Sequence, residues 1–276
     1  MKNANNEIPR HYDVAFLRPG YLPRRERFET PEDGIRAWTK GRKLLAGSKL
    51  LAICEAVEAI DRCISGNEPC NRTICPKCAR DYRRSLGRDV LQTLPNGEAV
   101  LQFVTILANP VDDQDLRHFS IETFHDNIRQ KLRRCGLGST VTIGGTELAR
   151  HTPDGGWVPH LHLIMRAPPK EALDELRARC KKTVQLYRPV QAKPVDNLIG
   201  LCTYIQKFSL LDWPLNRTGK SRSGARSLPI RQARILARFM LRHRFSEFQF
   251  LVGCKRRGDK IVVEADWSES RDAVTP

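Results

Sequence analysis

The sequence predicts an α+β protein built on an antiparallel sheet, and three observations carry that reading. An apolar, β-branched run at 100–108 (VLQFVTILA) and two further strand-like runs at 140–151 and 157–166 alternate with segments of helical spacing. The second and third runs are joined by Thr152-Pro153-Asp154-Gly155-Gly156, a turn signal that folds them into a hairpin. With 40% hydrophobic and 28% charged side chains, 276 residues can bury a real core, which excludes wholesale disorder.

Residues 1–33 are polar, rich in Pro and Arg and without a period, and read as a flexible arm. Between 34 and 64, Ala37, Leu44, Leu45, Leu50, Leu51, Ile53, Val57 and Ile60 have the spacing of one or two amphipathic helices. A cysteine cluster follows, then a basic helix that ends before Pro95-Asn96-Gly97. Asn109-Pro110 stops the first strand. Leu116, Phe119, Ile121, Phe124, Ile128 and Leu132 predict a helix over 113–134, with Asp112 or Asp113 as its cap. After the hairpin come a helix at 170–184, a strand at 187–195 and a helix at 196–211. The order β-α-β-β-α-β-α is that of a split βαβ, ferredoxin-like sheet.

The tail differs in composition. From Trp213 to Ser246 there is no Asp or Glu, but there are nine Lys or Arg residues. Within it 219–227 reads as a Gly/Ser/Arg-rich loop over phosphates, carrying Lys220, Arg222 and Arg226. A helix at 230–245 sets Arg231, Arg234, Arg238 and Arg242 largely along one side. The expected organisation is an arm (1–33), a helical and cysteine-rich module (34–96), an α+β domain (97–211) and a basic, mostly helical extension (212–276).

Lys and Arg number 47 against 31 Asp and Glu, a formal +16. An excess of that size implies a polyanionic partner, most commonly nucleic acid. The longest mostly apolar stretch, 99–111, falls short of the ~20 residues a membrane span needs, and the N-terminus has no secretory h-region. The expected compartment is the cytoplasm, where thiols stay reduced. Nine cysteines, an odd number, then read as metal ligands and buried small hydrophobes.

Cys70-x4-Cys75-Pro-Lys-Cys78 is a metal signal, because a C-x2-C knuckle brings two thiolates to one Zn2+ from a tight turn. A tetrahedral ion needs two more ligands; Cys70 is one, and Cys63, with Cys54 as the alternative, supplies the other. Arg72, Lys77, Arg80, Arg83 and Arg84 surround the cluster and are candidate contacts to a nucleic-acid backbone. Cys135, Cys180, Cys202 and Cys254 are scattered and read as core.

Pro159-His160-Leu161-His162 sets two imidazoles on one face of a strand, since residues i and i+2 point the same way. A turn centred on 153–155 pairs positions whose numbers sum to about 307–309, which places Glu147 opposite His160 or His162. Two His and one carboxylate can converge on a divalent cation and leave positions open for phosphate. His151 shares the face of Glu147 and is the alternative third ligand. On the helix at 196–211, Tyr204 and Lys207 lie one turn apart. A phenol is a poor nucleophile without a nearby cation, which Lys207 would supply.

Together these motifs resemble the HUH endonucleases, in particular the rolling-circle replication initiators of plasmids and phages. FVTILANP is similar to their first-motif strand, EL…WVPHLHLIM to the Glu-strand-turn-PHxH metal motif and TYIQKF to the nucleophile motif. CNRTICPKCARDYRRSL resembles the cysteine segment that precedes the catalytic core in several plasmid initiators and in related single-strand transposases. The likeness covers about residues 63–210. It implies a ferredoxin-like palm, His160 and His162 as metal ligands, Glu147 as the third, and Tyr204 as covalent nucleophile. The implied reaction nicks single-stranded origin DNA with Mg2+ or Mn2+, leaving a 5′-phosphotyrosine and a free 3′-OH. The implied partners are origin DNA, a host helicase and a second copy of the chain.

Two departures stand out. Some plasmid initiators carry a glutamate four residues before the tyrosine that activates water for termination, and here that position is Gly200. No second tyrosine adjoins Tyr204, and Tyr187 lies on a different element, which favours a one-tyrosine cycle resolved by a second protomer. Two alternatives stay open: a single-strand transposase using the same chemistry, and a non-catalytic, zinc-dependent nucleic-acid-binding regulator.

Overall fold

A computed structural model describes residues 30–66, 68–94, 101–150, 156–183, 186, 188–195, 198–205, 211–212, 226–258 and 260–264. Helix α1 (Pro31–Leu45) begins at a capping box in which Thr30 Oγ1 accepts from Asp33 N and the Asp33 carboxylate accepts from Thr30 N. Helix α2 (Leu51–Ser65) follows after a short break. Helix α3 (Pro76–Thr93) starts with Pro at its first position, where the missing N–H costs nothing.

Strands β1 (Leu101–Leu107), β2 (Thr142–Arg150), β3 (Trp157–Arg166) and β4 (Val190–Pro194) pair antiparallel in the order β4-β1-β3-β2. Helix α4 (Ile121–Arg134) connects β1 to β2, and α5 (Lys170–Arg179) connects β3 to β4. Both pack on one sheet face, where Phe124, Ile128, Leu132, Leu173 and Leu176 meet Val104, Ile106, Leu161, Leu163 and Met165. The other face is covered by α3 and by α6 (Leu198–Tyr204); Leu198 and Cys202 of α6, with Ile205 just after it, pack with Leu86, Val90, Phe103, Ile143 and Ile164.

The single helix expected over 113–134 is two pieces. Asp112 Oδ1 accepts from Gln114 N and Asp115 N and caps a 3-10 turn at Asp115–His118. Phe119 and Ser120 are extended, and Ser120 Oγ caps α4. The helix expected at 170–184 ends at Arg179 and the strand expected at 187–195 begins at Val190, while of the helix expected at 196–211 the described residues hold Leu198–Tyr204 and 206–210 lie outside them.

Residues beyond 212 depart most from expectation. They hold α7 (Ile230–Met240) and a 3-10 turn (Phe245–Phe248), but also β7 (Gln249–Val252), which pairs antiparallel with β2 and makes the main sheet five-stranded. The two-residue strands β5 (Leu211–Asp212) and β6 (Arg226–Ser227) attach at the far end of β2. Strands β8 (Cys254–Arg257) and β9 (Lys260–Val263) form a hairpin against α3. Between β7 and β8 the chain turns at Gly253, with φ of +64° and a Cβ position 2.5 Å from Ser139 O, so no other residue fits there.

The N-terminal helices and α7 share one core. Trp38, Leu45, Ile53 and Ile60 pack with Ala233, Leu236, Ala237 and Phe239, and this cluster reaches Leu148 and Trp157 at the end of the β2–β3 hairpin. Among the described residues no helix is long and apolar enough to cross a membrane.

Candidate functional site

The sheet face under α3 and α6 is organised in cross-strand rows. In the innermost, Leu251, Ile143, Ile164, Phe103 and Lys193 stand side by side across β7, β2, β3, β1 and β4. The next row, two residues along, is Gln249, Gly145, His162, Thr105 and Gln191. Beyond it come Glu147, His160 and Leu107. The face thus changes from apolar to polar within two residues, and the three expected metal ligands mark the change.

The register places Glu147 directly opposite His160, one of the two partners its turn allowed. The closest contact is nonetheless diagonal: Glu147 Oε2 lies 3.4 Å from His162 Nε2, with both side chains buried. The two imidazoles stack at 15° with centroids 5.9 Å apart, and His162 stacks in turn on Phe103. His160, at the edge of the array, is half-buried. Thr105 Oγ1 is 3.0 Å from His162 Nδ1, which commits that nitrogen and leaves Nε2 facing the carboxylate. Two donors about 2.1 Å from one ion, at octahedral or tetrahedral angles, stand about 3.0–3.4 Å apart. The Glu147–His162 spacing lies in that range, but the ligand atoms of Glu147, His160 and His162 do not all fall within 4.8 Å of one another.

Tyr204 is the last residue of α6, in the helical layer over this face. Its side chain, with Lys207, Lys220, Arg222, His151 and the side chain of Arg226, lies outside the described residues.

The second cluster is sulfur. Cys63 leaves the end of α2, Cys70 and Cys75 flank a turn in which Asn71 has φ of +53°, and Cys78 lies in the first turn of α3. Their four ligand atoms all lie within 4.8 Å of one another, the one such convergent group of three or more donors among the described residues. Individual S···S distances are 3.7 Å (Cys63–Cys78), 3.8 Å (Cys70–Cys78) and 3.8 Å (Cys75–Cys63). A tetrahedral Zn–S4 centre with 2.3 Å bonds has edges of about 3.8 Å, so the quartet could hold a metal such as zinc. Hydrogen bonds from Cys75 and Cys78 hold the Cys70 thiol down to about 4, while hydrogen bonding to Cys70 and Cys78 pushes the Cys75 thiol up. Cys54 is elsewhere: its Sγ donates to Ser48 O. Burial pushes the Cys202 thiol to about 12 and Cys254 to about 11, and raises Cys135 and Cys180, as for thiols that serve as small hydrophobes.

The basic residues divide. Arg72, Arg231 and Arg238 are exposed, and Arg231 Nη2 lies 3.9 Å from Asp113 Oδ2. Arg234 Nη2 donates to Ala46 O at the end of α1, and Lys77 Nζ donates to Cys63 O and Gly66 O at the end of α2. Arg80 and Arg83, expected on the surface, are buried, with Arg80 paired to Asp81. Arg84 is half-buried, and desolvation lowers its proton affinity.

Thr105 and Gln249 enter the row of His162 only through strand pairing, which no local pattern in the sequence announces. No protein-family model, curated protein or solved structure matches the chain.

Proposed function

We infer that this chain is a single-strand DNA endonuclease of the HUH type, acting as a rolling-circle replication initiator. The observation that carries the reading is the register that sets Glu147 opposite His160 and beside His162 on one sheet face. The order β4-β1-β3-β2, with both connecting helices on the opposite face, supports a ferredoxin-like palm. The helix that carries Tyr204 belongs to the layer covering the His-bearing face.

Mg2+ or Mn2+ held by Glu147, His160 and His162 would polarise the non-bridging oxygens of a scissile phosphate. Thr105 fixes the His162 ring through Nδ1, and Phe103 supports the ring from below. The Tyr204 phenol gives its proton to solvent water and its oxygen forms a bond to phosphorus. The P–O3′ bond breaks, and the departing 3′ oxygen takes up a proton to become a primer hydroxyl. Lys207 offsets charge on the phenolate and on the phosphorus centre. The cysteine quartet holds structural zinc, and exposed arginines of α7 contact DNA phosphates.

The test is denaturing electrophoresis of the protein with labelled single-stranded DNA of its own replicon and Mn2+, wild type beside Tyr204→Phe. A covalent band that the variant lacks is expected; a band of equal strength from Tyr204→Phe would overturn the nucleophile. One observation favours a second reading, a zinc-dependent DNA-binding regulator. The cysteine quartet converges more completely than the Glu147–His160–His162 set. Such a protein would bind DNA with or without Mn2+ and form no adduct.

A further inference from the structure

Gln249 opens β7, on a segment remote from the three motifs above, yet strand pairing brings it into the row of His162. Its relative exposure is 8%, and among the described residues its Nε2 has no hydrogen-bond partner. A buried amide donor left without a partner carries its full desolvation cost, so its retention calls for an acceptor.

The orientation of the amide follows from its neighbours. Arg256 Nε donates to Gln249 Oε1 at 3.1 Å, and Arg256 Nη2 is paired with Asp89 Oδ2 at 3.0 Å. Arginine is donor-only, so the edge of the amide facing Arg256 must be its oxygen, and the N–H edge is turned away. The intervening position in the row is Gly145, which has no side chain to separate Gln249 from His162. Asp89, buried on α3, thus fixes Arg256, which fixes the Gln249 amide at the β7 end of the row that holds His162.

We propose that Gln249 is a further substrate-contacting residue of this site, its Nε2 donating to a non-bridging oxygen of the phosphodiester. This rests on the nickase reading for the identity of the phosphate. A donor suits that role, because charge accumulates on those oxygens as phosphorus is attacked. Gln249→Met keeps the volume and removes the donor; Gln249→Glu keeps the shape and sets a carboxylate against the phosphate.

The experiment has two arms. In a Tyr204→Phe background, affinity for single-stranded DNA is measured by fluorescence anisotropy with Mg2+, alongside Mn2+ binding by paramagnetic resonance and thermal unfolding. Gln249→Met should weaken DNA binding roughly 10-fold and Gln249→Glu further, with Mn2+ affinity not reduced and the Gln249→Met protein as stable as its parent. In the Tyr204-intact protein the same substitutions should slow adduct formation by at least that factor. Adducts at the parental rate together with parental DNA affinity would overturn the role of Gln249 and leave the nickase intact. Weakened DNA binding in a protein that forms no adduct would instead support the phosphate contact and remove the nickase. A loss of stability in Gln249→Met that accounts for its weaker binding would make the residue merely structural and also overturn the proposal.

Discussion

Glu147 Oε2 approaches His162 Nε2 to 3.4 Å although the strand register makes His160, not His162, the residue opposite. The diagonal is reachable because Gly145, the residue that does face His162, has no side chain to fill the space. The three donors form a triangle with one cross-strand edge, one diagonal and one i,i+2 edge along β3. Such a triangle is held by the sheet itself, without a loop, so its geometry depends on β1, β2 and β3 remaining in register.

Thr105 tests how far that geometry is tuned. Its hydroxyl is the partner of His162 Nδ1 on the neighbouring strand. Thr105→Val preserves shape and β-propensity but frees the ring to turn and to change tautomer. If Glu147, His160 and His162 hold a cation as proposed, losing such a supporting contact costs ~10–100-fold in its affinity. Mn2+ titration followed by paramagnetic resonance should show that loss with little change in thermal stability. Unchanged affinity would remove Thr105 from the site.

Removing metal from the cysteine quartet should be felt far along the chain. Cys63, Cys75 and Cys78 are buried in the same cluster as Trp38, Ile60, Ala237 and Phe239, and Thr73 Oγ1 in the knuckle donates to Met240 O at the end of α7. Chelation, or Cys75→Ser, should therefore abolish hydrogen-exchange protection in α1, α2 and α7 together, while β1 and β3 stay protected. Loss confined to 63–78 would mean that the helices stand without the knuckle. Thr73→Val alone should cost about 1 kcal/mol of the same stability.

The acid limb of stability has an identifiable contributor on the opposite sheet face. His125 is buried, with Nε2 2.6 Å from Thr146 Oγ1 and its ring edge-on to Phe250. Burial, with Arg129 nearby, holds its proton affinity down to about 4 from the usual 6.5. Above pH 6.5 the residue is neutral in folded and unfolded chains and adds no pH dependence. Between pH 6.5 and 4 the unfolded chain binds the proton and the folded one does not. Stability therefore falls with pH, by about 3 kcal/mol in all. Denaturant titrations across that range should show the fall, and His125→Gln should flatten it; an unaltered slope would assign it to other groups.

What the sequence disclosed, and what it did not, follows the range of the interactions concerned. The β2–β3 hairpin was legible because two strand-like runs and the turn signal between them are local in the sequence, and that signal already narrowed the partner of Glu147 to two residues. The break before α4 was invisible because Leu116, Phe119 and Ile121 keep a helical period across it, while the side chains of Asp112 and Ser120 decide where the turns begin. Strand β7 was missed because four residues of QFLV carry no usable period and its partner β2 lies a hundred residues earlier. Arg80 and Arg83 read as surface charge, but α3 packs against α1, α6 and β9 at once, and little of it stays wet.

That division among the basic residues gives the last prediction its form. Arg231 and Arg238 are exposed on α7, whereas Lys77 spends its ammonium on two carbonyls at the end of α2. If the exposed pair contacts phosphates, each contact releases about 0.7 counterion from single-stranded DNA. Arg231→Gln with Arg238→Gln should then reduce the slope of log K against log salt by roughly 1.4, with thermal stability unchanged. Lys77→Gln should do the reverse, lowering stability through the lost helix cap while leaving the slope as it was. The measurement is anisotropy of a labelled oligonucleotide between low and physiological salt. A Lys77→Gln protein with a shallower slope and full stability would return that lysine to the DNA interface, and an unchanged slope in the double arginine variant would place the interface away from α7.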